Sequence, residues 1–69
     1  MKIVDKLIYD LILAECKPIY ILDLYEKALE KNFMVRHEFP YAISNLLHQN
    51  LVSFEFNGNI VLKNEINLE

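Results

Sequence analysis

The 69-residue sequence predicts an α+β domain in which three helices lead into a C-terminal two-stranded β-hairpin. Three features carry that expectation. Apolar residues recur on a helical period in three separate stretches. The run "LVSFEF" then alternates at period two, and "NGN" supplies a turn between it and "IVL".

In the first stretch Ile3, Val4, Leu7, Ile8, Leu11 and Ile12 form one stripe, which predicts a helix from about Lys2 to Glu15. Pro18 biases Lys17 away from the helical region, so that helix stops and "PIYI" continues extended as a short strand with Ile19 and Ile21 on one side. The second helix is "ILDLYEKALEKN". Its buried stripe is Ile21, Leu24, Tyr25, Ala28 and Leu29, Asp23 is spaced to pair with Lys27, and Asn32 is a left-handed stop. No Ser, Thr, Asp or Asn precedes Ile21, so its start is poorly marked.

"FMVRH" reads as a turn. The third helix runs from about Glu38 to Gln49, with Pro40 tolerated in the first turn and a core face of Phe39, Ala42, Ile43, Leu46 and Leu47. Asn50 follows where a residue able to take positive φ is useful. In the hairpin, Phe56 is expected opposite Ile60 across a three-residue loop. That puts Val52, Phe54, Phe56, Ile60 and Leu62 on one face and Ser53, Glu55, Val61 and Lys63 on the other. Residues 64–69 read as a frayed tail of a single domain spanning 1–69.

Composition narrows the function. A formal charge of −3, one cysteine and 54% hydrophobic residues describe a small acidic globular chain with no intrachain disulfide. Asp5 and Asp10 interrupt the N-terminal apolar residues, and no apolar run nears the roughly 20 residues that span a bilayer; a cytoplasmic protein away from membranes is expected. A domain this small buries only roughly 60% of its unfolded surface, so an apolar face left for a partner or a second copy is expected.

No catalytic site, cofactor or metal is expected. His37 and His48 stand eleven residues apart, about 16 Å along a helix and too far to share one ion. Cys16 falls at a helix C-terminus, whose negative partial charge disfavours a thiolate, and reads as a small apolar filler. Glu26 and Glu30 are neighbours on a solvated helix face.

The order of elements, and above all "YAISNLLHQNLVSFEFNGNIVL", resembles the winged helix over nearly the whole chain. In that fold an amphipathic third helix ends and a Leu with a β-branched residue, here Leu51 and Val52, opens the wing; Asn50 stands where the family often has Gly. For DNA-binding members the resemblance implies that the third helix enters the major groove. Arg36, Tyr41, Ser44, Asn45, His48 and Gln49 are then the DNA-contact candidates, with Asn45 and Gln49 suited to adenine. Charge argues the other way. From His37 onward no Lys or Arg occurs before Lys63, while Glu38 and Glu55 both fall inside that stretch, and phosphate contacts supply most non-specific affinity.

The sequence therefore favours a protein partner or a homodimer over DNA. Tyr9 and Leu13 on a second face of the first helix, Phe33, Met34 and Val35 together in a turn, and outward-facing Tyr41 are the protein-interface candidates. A narrower resemblance joins "LDLYEKALEKN" and the third-helix segment to the small middle components of bacterial three-component systems built on an SMC/Rad50-like ABC ATPase. It implies a non-catalytic adaptor, with Leu24, Tyr25, Glu26 and Lys27 as the matching positions. A dimeric DNA-binding regulator is the alternative, and a small acidic inhibitor of a nucleic-acid enzyme the second.

Overall fold

Among the described residues six elements form in the expected order: α1 (Ile3–Glu15), β1 (Ile19–Tyr20), α2 (Ile21–Lys31), α3 (Glu38–His48), β2 (Val52–Phe54) and β3 (Asn59–Leu62). The computed structural model describes residues 2–63; the predicted frayed tail, 64–69, lies outside them. The strand after α1 does more than the sequence suggests. It joins the hairpin in an antiparallel sheet of order β1-β3-β2, with Ile19 opposite Ile60 and Tyr20 opposite Asn59. Three helices and a three-stranded sheet with β3 at its centre make an α+β, winged-helix-like arrangement. Among the described residues, no helix is long and apolar enough to cross a membrane.

One apolar cluster joins the elements. Ile8 and Ile12 of α1, Ile19 of β1, Leu24 and Ala28 of α2, Phe39, Ala42, Ile43 and Leu46 of α3, and Val52 and Ile60 of the sheet are all buried. Tyr25 meets Phe39 edge-on, with ring centroids 5.0 Å apart, which fixes α2 against the start of α3.

The first helix is rotated from its predicted phase. Ile3 is 77% exposed whereas Asp5 is 3% exposed, so the inward line is Asp5, Ile8 and Ile12 at i, i+3 and i+7. The physical reason is a partner on α3. Asn45 donates Nδ2–H to Asp5 Oδ2 at 3.1 Å, which lets a carboxylate replace an apolar residue at that position. The expected Asp23–Lys27 pair is also replaced: Lys27 reaches Glu15 on α1 at 3.4 Å, and Lys6 pairs with Asp10 at 3.5 Å.

All three helices are followed by left-handed backbone: Cys16 at φ 58°, Asn32 at φ 61° and Asn50 at φ 60°. Asn32 and Asn50 were legible as such stops. At Asn50 the pattern is complete, since Asn50 N–H donates to the Leu47 carbonyl at 3.1 Å and Leu51 N–H to that of Leu46 at 3.1 Å. Cys16 corrects an expectation: it is exposed rather than a core filler, and it occupies the left-handed region where a β-carbon costs roughly 1–2 kcal/mol. Cys16→Gly is therefore expected to stabilise the fold by about 1 kcal/mol, after allowing for glycine's greater freedom when unfolded. Urea midpoints of the two proteins check this, and an unchanged or lower midpoint refutes it.

The hairpin keeps its three-residue loop but moves it by one position. Phe54, not Phe56, stands opposite Ile60. Glu55 N–H donates to the Asn59 carbonyl at 2.8 Å and Gly58 N–H to the Glu55 carbonyl at 2.9 Å, so Phe56, Asn57 and Gly58 form the loop. Glycine decides the register, because the last loop position takes φ +92°. Tyr20 also covers that position: a β-carbon on Gly58 would lie 2.7 Å from its ring. The pairing slides by two residues, so Val52 and Ile60 still face the core, but Phe56 leaves the sheet and is fully exposed.

Candidate functional site

The third helix owes its position to its buried face, and its other faces make the candidate site. The helix is entered through a turn in which Glu38 N–H donates to the Val35 carbonyl at 3.0 Å and Val35 N–H donates to Glu38 Oε1 at 2.8 Å. This reciprocal pair replaces a side-chain cap, which His37 does not supply. Outward from the core, His37, Tyr41, Ser44 and His48 recur at helical spacing and form an exposed ridge.

A depression lies on each side of that ridge. Toward β2 is an apolar groove of about 420 Å³, lined by Ile21, Phe39, Pro40, Ile43, Leu47 and Phe54, with Ser44 the one polar residue among the described lining. Toward α1 is a cleft of about 660 Å³, bounded by Ile3, Asp5, Tyr41 and Asn45 among others. The start of α2 sits beside the wing turn, because Ile21 N–H donates to the Gly58 carbonyl at 3.0 Å. Phe54, 45% exposed, lines the groove from β2, and Phe56 (106%) is fully exposed in the wing loop.

The predicted contact residues divide. Tyr41 and Val35 are exposed and Leu13 is 42% exposed. Tyr9 and Phe33 are half-buried and pack against the core. Met34 is buried at 9% exposure, which corrects its place among the interface candidates: of three adjacent apolar residues in the turn, Met34 goes inward, Phe33 only partly, and Val35 remains outside. Among the DNA-contact candidates, Arg36, Ser44, His48 and Gln49 are exposed. Asn45 is half-buried and its amide is engaged by Asp5, a correction to its reading as an exposed adenine reader.

Cations are scarce on this face. No Lys or Arg lies on α3. Lys63, at the base of the wing, directs its Nζ to Asn50 Oδ1 at 3.4 Å. Among the described residues, no group of three or more His, Cys, Asp or Glu is placed to hold a metal ion.

The groove was missed at the sequence level because it takes residues from α2, α3 and β2. One signal was available: "LVSFEF" carries more large apolar residues than a three-residue strand can bury. Comparison with protein-family models, curated proteins and solved structures gives no match.

Proposed function

We propose that this chain is a non-catalytic protein-interaction module, an adaptor or subunit that uses the face of α3 and the wing to hold a protein. The apolar groove carries the reading. A DNA-contacting face presents cations and hydrogen-bond donors to phosphate, whereas here the groove beside the helix is lined by Ile21, Pro40, Ile43, Leu47 and Phe54, and the wing loop exposes Phe56. Burying one such phenylalanine on binding is worth about 1.5–3 kcal/mol, which favours a partner with its own apolar side chains. Three-component systems built on an ABC ATPase supply one class of partner, a large subunit that an adaptor bridges to an effector.

Fluorescence anisotropy with a generic labelled duplex separates this reading from a DNA-binding regulator. No binding is expected even at low salt. Binding that falls steeply as salt rises would show phosphate contacts and give the regulator reading the lead.

A further inference from the structure

The cleft between α1 and α3 has a feature that the groove lacks. Asp5 belongs to its lining and is 3% exposed. Oδ2 accepts from Asn45 at 3.1 Å, and among the described residues Oδ1 has no hydrogen-bond or ion-pair partner. Burying a carboxylate is costly unless donors or a cation compensate it, so an oxygen left over points to something that binds there. Lys2 and His37 also border the cleft. Neither forms an ion pair with Asp5. Glu38 adds a second carboxylate nearby.

The walls specify the rest of the ligand. Ile3 is 77% exposed and Tyr41 is 71% exposed, facing the same cleft from α1 and α3. An aliphatic stem lies well along Ile3, and a planar cation stacks on the face of a tyrosine.

We propose that the cleft receives an arginine side chain from the protein partner, with its guanidinium on the free oxygen of Asp5 and its stem against Ile3 and Tyr41. The assignment rests on the protein-binding reading. A guanidinium suits the site better than an ammonium because it offers several donors in a fixed plane and stacks on an aromatic ring while one edge meets the carboxylate. Asn45 acts as a positioning residue, holding Asp5 Oδ2 so that the other oxygen is left for the ligand. The net charge of −3 favours approach of a basic partner segment.

The test is an amide chemical-shift titration of the whole chain with N-acetyl-arginine amide, alongside the neutral isostere N-acetyl-citrulline amide. Saturable shifts centred on Asp5, Tyr41 and Asn45 are expected with arginine, in the millimolar range, with a response to citrulline about tenfold weaker. Asp5→Asn keeps the shape and is expected to abolish that preference. Tyr41→Ala removes an exposed side chain, is expected to weaken the arginine response several-fold, and serves if Asp5→Asn does not fold. Equal responses to arginine and citrulline, or no shifts at these residues, would overturn the assignment. Failure of this titration alongside a partner whose binding still depends on Phe54 removes only the arginine site. Loss of Phe54 dependence alongside a normal titration removes only the groove.

Discussion

Ile60→Ala is expected to remove roughly 2–5 kcal/mol of stability, enough to leave much of the chain unfolded at room temperature. A domain of this length has only roughly 3–10 kcal/mol in total. Ile60 is fully buried in the central strand and stands opposite both Ile19 and Phe54. Truncating it opens a cavity where all three strands meet, and among the described residues the sheet has no further strand to share the loss. Thermal unfolding followed by circular dichroism should show Tm lower by at least about 8 °C, with Ile60→Val costing about 0.5–1.5 kcal/mol. A loss under about 1 kcal/mol for the alanine variant would mean that β3 is not integral to the core, and that helices alone carry the fold.

The largest functional effect is expected at the wing. Phe54→Ser combined with Phe56→Ser should weaken partner binding or self-association by about 30-fold or more, the effect of losing about 2 kcal/mol at an aromatic anchor. Stability should change little, because Phe56 is fully exposed and Phe54 nearly half so. Lost binding with retained stability separates a contact role from a folding role. Sedimentation velocity measures self-association, and titration calorimetry measures affinity for a partner captured from the native host. A chain that is strictly monomeric and captures no partner, or one whose affinity survives both substitutions, would place the function away from this surface.

Much of the fold is written locally. Apolar stripes predict where α1, α2 and α3 lie, and Asn32 and Asn50 occupy the left-handed positions that an asparagine after a helix suggests. Pro18 and the lone Gly58 place the break after α1 and the wing turn. The site is less legible. Of the six protein-interface candidates, Leu13, Val35 and Tyr41 keep substantial exposure while Met34 is drawn inward, because a run of adjacent apolar residues does not reveal which member the core will take. Periodicity gives a helix its apolar face but leaves its rotation open by a residue, which is how Ile3 and Asp5 came to exchange places.

The sequence by itself determined the element order, the helix stops and the shortage of cations on α3. These are properties of composition and of neighbours close along the chain. Tertiary structure decided the third strand of the sheet, the burial of Asp5 against Asn45 forty positions away, and the meeting of Ile21, Pro40 and Phe54 along one groove. Each needs segments distant in sequence to pack together, and a local pattern carries no information about which distant surface it will meet. The sliding of the hairpin combines both. A single glycine fixed the turn locally, and the core face of β2 then determined which phenylalanines stayed exposed.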